Sequence, residues 1–207
     1  MPMQSTHNSK GGGTDEQVRC FVAIELPADV TAGLADLRAQ LERPSQHYVK
    51  WVRPEAIHLT LKFLGNIQAG RQADVTDAVR RAVRGARPCH LEVSGLGGFP
   101  SLQQPRVLWV AVSGDIDQLQ ALQQEIDNAL ADLGFPREER RFVPHLTLAR
   151  VRQGASSRER KALGDVAVPL RQTRSYPLVA TSVSLMRSQL TPDGAIYTCL
   201  SKADLRQ

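Results

Sequence analysis

One short phrase with chemically useful side chains occurs twice in the chain. The phrase His-Leu-Thr-Leu runs from His58 to Leu61 and again from His145 to Leu148. On a β-strand, side chains alternate between faces, so each copy presents an imidazole and a hydroxyl on one face and two leucines on the other. Two imidazoles across a cleft can act as general base and general acid, while two hydroxyls hold a phosphate between them. The repeat predicts metal-free phosphoester chemistry by four residues: His58, Thr60, His145 and Thr147.

Other site chemistries fit the two motif strands less well. A zinc or two-metal site needs carboxylates, cysteines or more histidines nearby, where these strands have threonine and leucine. Neither a P-loop nor a G-x-G-x-x-G follows a predicted strand. A Ser-His-Asp triad would lack the G-x-S-x-G elbow and would leave one histidine unexplained. The alternative without catalysis is that both histidines are structural residues packed inside a duplicated sheet. We expect no metal and no cofactor.

The elements that position the motifs are predicted in the same order twice: strand, helix, motif strand, helix, strand. In the first half they are Val18–Leu26, a helix with Val30, Leu34, Leu37 and Leu41 at helical spacing, Ile57–Leu64, about Arg71–Arg84, and Cys89–Ser94. In the second half they are Arg106–Val112, a helix from Ile116 to Leu133, Phe142–Arg150, Ser156–Leu163, and Leu178–Arg187, with a further strand at Ala195–Leu200.

The spacing of two arginines agrees with a duplication. Arg19 precedes His58 by 39 residues, and Arg106 precedes His145 by the same number. Two related lobes would face each other across a pseudo-twofold axis and bring the motifs together. We therefore expect an α+β fold with one bilobed domain at residues 18–207, whose repeat halves span about 18–95 and 106–200. Residues 1–17 are polar and aperiodic, and they predict a disordered tail.

Composition narrows the class of protein. The 207 residues are 42% hydrophobic, which is enough for a full core, and no apolar run reaches the length of a membrane span. The net charge of +5 comes mainly from arginine, so a polyanionic partner is compatible with it. Three widely spaced cysteines predict reduced thiols and a cytoplasmic protein without membrane association. A monomer is our default expectation.

Several longer segments resemble a known family. The segments WVRPEAI with HLTLKFLG, then GGFP, PRVLWVAV, FVPHLTLAR and SQLTPDGAIY are similar to the RNA 2′,3′-cyclic phosphodiesterases, also called 2′-5′ RNA ligases or LigT-like proteins. This family belongs to the two-histidine phosphoesterase superfamily, and the similarity covers about Arg19 to Leu200. It implies a bilobed α+β fold in which two mainly antiparallel sheets line a cleft, with helices outside.

The resemblance also implies an activity and roles for residues. The reaction is hydrolysis of a terminal 2′,3′-cyclic phosphate on RNA to a 2′-phosphate, with His58 as proton donor and His145 as proton acceptor. The reverse joining of a cyclic end to a 5′-hydroxyl is implied as a side activity. Other substrates remain open, namely 2′,5′-linked oligonucleotides and small cyclic nucleotides, as does a non-catalytic module that binds RNA ends.

Two basic residues on the motif strands are further candidates for substrate binding. Lys62 continues the alternation of His58 and Thr60, so its amine is expected beside the phosphate. Arg150 falls on the leucine face of its strand if that strand stays regular, yet a turn at the strand end would bring it to the phosphate. For the nucleobase, an aromatic platform is expected among Phe21, Trp51, Phe63 and Tyr197.

Overall fold

A computed structural model describes residues 16–43, 45–191 and 194–206. In these ranges the chain forms nine β-strands and four α-helices. The strands are β1 (Gln17–Glu25), β2 (Val49–Trp51), β3 (His58–Gln68), β4 (Cys89–Phe99), β5 (Val107–Gly114), β6 (His145–Val151), β7 (Tyr176–Ala180), β8 (Ser182–Thr191) and β9 (Gly194–Asp204). The helices are α1 (Ala28–Leu41), α2 (Gln72–Ala82), α3 (Ile116–Ala131) and α4 (Ser157–Ala167). Most of the predicted tail, residues 1–15, lies outside the described residues, and Gln17 belongs to β1.

The strands form one antiparallel sheet with a narrow waist. Their order is β7-β4-β5-β6-β3-β1-β8-β9, with β2 added beside β6. The two motif strands, β3 and β6, meet at the centre through a single bridge between Leu59 and Leu146. These leucines are equivalent positions of the repeated phrase, so a pseudo-twofold axis passes between them. The expected α+β fold with mainly antiparallel strands is confirmed, but the two expected sheets are joined into one at this bridge. The first lobe contains β3, β1, β8 and β9, and the second contains β6, β5, β4, β7 and β2, so each lobe has strands from both halves of the chain.

The duplication is visible in the strand pairing. In the first lobe Phe21, Ala23 and Glu25 pair with Phe63, Thr60 and His58. In the second lobe Val107, Trp109 and Ala111 pair with Arg150, Thr147 and His145. This register makes position 105 the equivalent of Arg19. The equal spacing of Arg19 and Arg106 from their histidines therefore does not mark equivalent arginines.

The helices cover one face of the sheet and leave the motif side chains on the other. In α1, Val30, Leu34, Leu37 and Leu41 are all buried, as their spacing predicts. The motif leucines join the same core as the helices, with Leu59 and Leu146 fully buried. A capping box between Ser156 and Glu159 begins α4. No helix of the described residues combines the length and the apolar character that crossing a membrane requires.

The strands β4 and β3 extend beyond their predicted ends. Residues 95–99, which follow the predicted strand Cys89–Ser94, continue β4, and the absence of a Cβ at Gly97 lets the Trp109 indole pack against its backbone. The motif strand β3 does not end at Gly65 but continues to Gln68. Gly65 has a φ of 71°, next to an irregularity opposite Cys20 and Phe21, so it accommodates a bulge within the strand.

Candidate active site

Both motif histidines are held in the same way by the backbone. The Nδ1 atom of His58 lies 3.0 Å from the carbonyl oxygen of Ala56, and Nδ1 of His145 lies 2.7 Å from that of Val143. A carbonyl oxygen only accepts hydrogen bonds, so each Nδ1 carries a proton and donates it. Nε2 is therefore the nitrogen left for a substrate, as acceptor when the ring is neutral and as donor when it is protonated.

One cleft gathers the four residues of the repeated motif. It has a volume of about 340 Å³, and His58, Thr60, His145 and Thr147 all line it. The antiparallel bridge at the central leucines sets the pseudo-twofold arrangement, which places the imidazole of one motif across from the hydroxyl of the other. Two pairs of this kind can surround a phosphate, with a proton-transfer group on each side and hydroxyl donors between them.

A bulge after each motif threonine decides which later side chains reach the cleft. The extra residue is Leu61 in β3 and Leu148 in β6. Both strands accordingly show two consecutive buried residues followed by an exposed one. The bulge shifts the alternation by one residue, so Phe63 and Arg150 face the cleft at equivalent positions.

The expectation that Lys62 shares the face of His58 is wrong, because the bulge turns this side chain into the core. Lys62 is only 6% exposed and forms a buried ion pair with Asp127 of α3. It also donates a hydrogen bond to the carbonyl oxygen of Pro136. Asp127 in turn accepts from the backbone N–H of Glu138, at 3.3 Å. Lys62 thus ties β3 to α3 and to the loop that follows α3, away from the cleft.

The bulge in β6 has the opposite effect on Arg150, whose side chain it turns from the core toward the cleft. On a regular strand it would share the face of Leu146 and Leu148, but the bulge at Leu148 brings it to the histidine face. Its side chain is exposed and lines the cleft. A guanidinium there can bind a phosphate bidentately, beside the Thr147 hydroxyl.

The surroundings of His58 are aromatic. The ring of Phe21 stacks on the imidazole at 4.5 Å, and the ring of Tyr197 meets it edge-on at 5.0 Å. Burial lowers the pKa of His58 from its ordinary value of 6.5, and the hydrogen bond to the Ala56 carbonyl opposes part of that shift. His58 therefore favours its neutral form more than a solvated histidine does.

His145 has a more open setting. Its hydrogen bond to Val143 lies at an exposed position, and Val143 itself is 47% exposed. The rings of Phe99 and Trp109 approach the imidazole edge-on, at 5.4 and 6.2 Å, and neither stacks on it. The hydrogen bond that holds His145 is thus more exposed than the one that holds His58.

The structure separates the aromatic candidates for a nucleobase platform. Phe63 lines the cleft and is 62% exposed, so its ring is accessible to a ligand in the cleft. Phe21 and Tyr197 line the cleft but pack against each other and against His58. Trp51 is absent from the cleft lining and instead lies under the guanidinium of Arg38, at 6.0 Å.

Sequence reasoning missed several residues of the cleft lining, among them Arg19, Ser188 and Leu190. The strands β1 and β8 that carry them read as ordinary buried strands, since the pattern alone does not say which face meets the cleft. For Arg19 the available signal was its position between the apolar residues Val18 and Cys20, which are both buried.

Burial also raises the pKa of Tyr197, while the charges of Arg150 and Arg19 partly lower it. The Tyr197 hydroxyl thus keeps its proton at neutral pH and can donate a hydrogen bond. The two guanidinium groups act on one hydroxyl, so positive charge from two strands converges on this part of the cleft.

Comparison with known proteins adds independent findings. Residues 20–190 match the family model described as the 2′-5′ RNA ligase superfamily. An RNA 2′,3′-cyclic phosphodiesterase of Methanothermobacter thermautotrophicus is 34% identical over 88% of this chain and 96% of its own length. One of Thermotoga maritima is 32% identical over 88% of this chain and 93% of its own.

Solved structures show the same fold. The crystal structure of TT0787 of Thermus thermophilus is 29% identical, with a TM-score of 0.71, and the match covers 91% of this chain and 98% of that one. The structure of Escherichia coli LigT complexed with 3′-AMP has a TM-score of 0.69 at 24% identity, covering 93% and 100% of the two chains.

Proposed function

This chain belongs to the 2′-5′ RNA ligase superfamily, and we propose from that premise that it hydrolyses RNA ends bearing a 2′,3′-cyclic phosphate to a 2′-phosphate. The relatives named RNA 2′,3′-cyclic phosphodiesterase support the substrate class. The observation that carries the proposal is the pair of histidines that share one cleft with two threonines, each with Nδ1 tied to a backbone carbonyl and Nε2 left over.

The reaction needs two proton transfers at opposite sides of one phosphorus atom. Nε2 of His145 accepts a proton from a water molecule, whose oxygen forms the new bond to phosphorus. The bond between phosphorus and the ribose 3′-oxygen breaks, and Nε2 of His58 gives its proton to that oxygen. Thr60 and Thr147 donate hydrogen bonds to the non-bridging oxygens, and Arg150 offsets the charge that develops there. The product keeps its phosphate on the 2′-oxygen.

The different surroundings of His58 and His145 support this assignment of proton donor and proton acceptor. The attacking water must reach the base, and the hydrogen bond that holds His145 is more exposed than the one that holds His58. The departing 3′-oxygen belongs to a nucleoside, and the aromatic surroundings of His58 suit a nucleoside better than water. Burial leaves His58 weakly protonated in the free enzyme, but an entering anionic phosphate favours its charged form.

Phe63 and Arg150 orient the substrate in this proposal. They stand at equivalent positions after the two bulges, one apolar and one cationic. The nucleobase stacks on the exposed ring of Phe63, and the phosphate turns toward Arg150. A single orientation then fixes which imidazole meets the 3′-oxygen.

The chemistry is proposed to proceed without a metal ion. Among the described residues there is no group of three or more histidine, cysteine, aspartate or glutamate side chains arranged to hold one. The cytoplasm is the proposed compartment, since Cys20, Cys89 and Cys199 are free thiols. We propose a monomer, because both motifs come from one chain.

A substrate panel tests the assignment of substrate. A short RNA with a 2′,3′-cyclic phosphate, a 2′,5′-linked dinucleotide and a 3′,5′-cyclic nucleotide are compared by kcat/KM. The proposal predicts that the RNA end is preferred by at least about tenfold, the scale of one additional charge-assisted contact. Equal values on all three would contradict it. Binding of the RNA end with no turnover on any would favour a module that only holds RNA ends.

Ligation is a second activity that the family description favours. In joining, a 5′-hydroxyl takes the place of water and gives its proton to His145, His58 again protonates the departing 3′-oxygen, and a 2′-5′ linkage forms. Incubating a cyclic-phosphate RNA with an excess of a 5′-hydroxyl RNA should give a joined product that a ribonuclease specific for 3′-5′ linkages does not cut at the junction. A junction that is cut would contradict the proposed direction of opening.

A further inference from the structure

A row of polar side chains crosses the first lobe on the cleft side, next to the row that contains Phe21 and Phe63. Tyr197 of β9 pairs with Ser188 of β8. Cys20 of β1 pairs with Arg187 of β8, so the antiparallel register places Arg19 beside Ser188. Arg19, Ser188 and Tyr197 all line the cleft, which identifies the face on which the row lies.

This row belongs to the first lobe alone. The pairing register makes position 105, a proline, the equivalent of Arg19 in the second lobe. The row is therefore no part of the duplicated catalytic motif. It is a feature added to the wall that carries Phe63 and His58.

The positive charge of the row and the exposure of Arg19 suit an anion. Arg19 is exposed, and within the described ranges its guanidinium makes no ion pair or side-chain hydrogen bond. Ser188 and Tyr197 add hydroxyl donors. The described residues that line the cleft include no aspartate or glutamate, so no carboxylate competes for Arg19 there.

The position of the row relative to the motif indicates which anion it meets. Along β3 the cleft side chains follow in the order His58, Thr60, Phe63, and Arg19 pairs with Asn66 beyond them. One row of alternate residues advances about 7 Å along a strand. Arg19 is thus one row beyond the Phe63 platform, on the side away from the reacting phosphate.

We propose that Arg19, Ser188 and Tyr197 form a second phosphate subsite, which binds the internucleotide phosphodiester on the 5′ side of the terminal nucleotide. The inference rests on the proposed function, since it assumes that the cyclic phosphate sits at the two histidines. It makes the enzyme selective for RNA chains over free nucleoside 2′,3′-cyclic phosphates. The guanidinium binds the phosphodiester oxygens, and the two hydroxyls donate to the same group.

The test compares two substrates that differ by this phosphodiester: adenosine 2′,3′-cyclic phosphate and the dinucleotide ApA with a 2′,3′-cyclic phosphate. The wild-type protein should prefer the dinucleotide by about tenfold in kcat/KM, and Arg19→Gln should reduce that preference to about twofold or less. The salt dependence on the dinucleotide should weaken by about 0.7 in the slope of log kcat/KM against log salt, the value for one contact to single-stranded nucleic acid.

Arg187→Gln is the matched control. Arg187 lies one pair away from Arg19 on β8, carries the same charge, points to the opposite face and contacts Glu16 at 3.6 Å. This variant should keep the tenfold preference. Tyr197→Phe keeps the ring beside His58 but removes the hydroxyl, and it should lower the preference by about threefold.

The outcomes separate the two proposals. An unchanged preference in Arg19→Gln, or an equal loss in Arg187→Gln, would overturn the second subsite while hydrolysis of both substrates upholds the proposed function. A wild-type protein that hydrolyses both substrates equally would also overturn the subsite. Failure to hydrolyse either substrate would instead contradict the proposed function itself.

Discussion

The cleft has two walls, one formed by the lobe that contains β3 and the other by the lobe that contains β6. Both walls have the same pattern of paired residues around the motif, but they differ in the side chains that follow it. On both walls a histidine and a threonine face the cleft, a leucine forms a bulge, and the side chain of the next residue points into the core. On one wall this core residue is Lys62, and the cleft residue that follows it is Phe63. On the other wall these positions hold Ala149 and Arg150.

The difference between the walls separates what the duplication supplies from what was added to each copy. The shared part places two imidazoles and two hydroxyls around one phosphate, and it is nearly symmetric. The added parts are the aromatic residues around His58, the guanidinium of Arg150 and the exposed ring of Phe63. A symmetric pair of histidines does not decide which one donates the proton. The added side chains make that decision, because they bind the two ends of the substrate differently.

The shared part should give the largest effects. His58→Ala and His145→Ala should each lower kcat by at least about a hundredfold, because either change removes a proton-transfer group. The kcat of the double variant should lie within about threefold of the kcat of the slower single variant, since the two groups act as one unit. His90→Ala is the control, as His90 is exposed on β4 away from the cleft lining. Wild-type-like turnover in either motif variant would mean that the two walls do not share the chemistry.

Arg150 should matter next, and on one wall only. Arg150→Ala should lower kcat by about tenfold to a hundredfold, since a guanidinium stabilises charge that develops on the phosphate. Arg152→Ala is the matched control, because Arg152 lies just beyond β6 and donates to the carbonyl oxygen of His47 at 3.0 Å. Steady-state kinetics on the cyclic-phosphate RNA measure both variants. Equal losses in the two would show that general positive charge is responsible and not the position after the bulge.

Phe63 should affect binding and leave the chemical step intact. Phe63→Ala should raise KM by about five- to tenfold at nearly constant kcat, because stacking contributes about 1–3 kcal/mol per base. Phe63→Tyr keeps the ring and should remain close to wild type. A fall in kcat at constant KM would place the ring next to the reacting atoms and contradict the division of roles between Phe63 and Arg150.

The aromatic setting of His58 should be visible in the pH dependence. Burial lowers the pKa of His58 below 6.5, so the limb of the kcat/KM profile that reports the protonation of this donor should lie below pH 6.5. Phe21→Ala removes the stacked ring and eases solvation of the charged form, so the limb should move to higher pH. Phe99→Ala changes the opposite wall and should leave this limb in place. Histidine titrations by NMR report the same shift directly, and an unmoved limb in Phe21→Ala would refute burial under the Phe21 ring as the cause of the lowered pKa.

Lys62 should have the smallest effect on turnover and a large one on stability. Lys62→Met leaves Asp127 without its partner in the core, which should cost about 3 kcal/mol in the free energy of unfolding. Below the unfolding transition kcat should stay within about twofold of wild type. The double variant Lys62→Met with Asp127→Leu should recover part of the lost stability, as measured by urea denaturation. A variant with normal stability and lost turnover would mean that Lys62 acts at the phosphate, as its sequence position predicted.

Local sequence pattern predicted the elements well where one chain segment decides them. The helix periodicity of Val30, Leu34, Leu37 and Leu41 is confirmed by their burial in α1. The segment predicted as one strand from Leu178 to Arg187 is instead two, β7 and β8. They pair with β4 and β1 in different lobes, so the break near Thr181 is imposed by distant strands.

The candidate site shows the same division. The repeated phrase located His58, Thr60, His145 and Thr147, because strict alternation holds across it. Prediction failed one residue later, at Lys62 and Arg150, since a bulge depends on the register with the neighbouring strand. The sequence carries no local mark of that register. The cleft residues from β1 and β8 were missed for a related reason, as pairing and not composition brings Arg19 beside Ser188.

Product identification tests the central claim most directly. A short RNA with a 2′,3′-cyclic phosphate is incubated with the protein in EDTA, and the product is identified by mass and against 2′- and 3′-phosphate standards. We expect a 2′-phosphate, formed in the presence of EDTA and lost in His58→Ala and in His145→Ala. No product, or a product formed only after a metal ion is added back, would contradict metal-free catalysis by the two histidines.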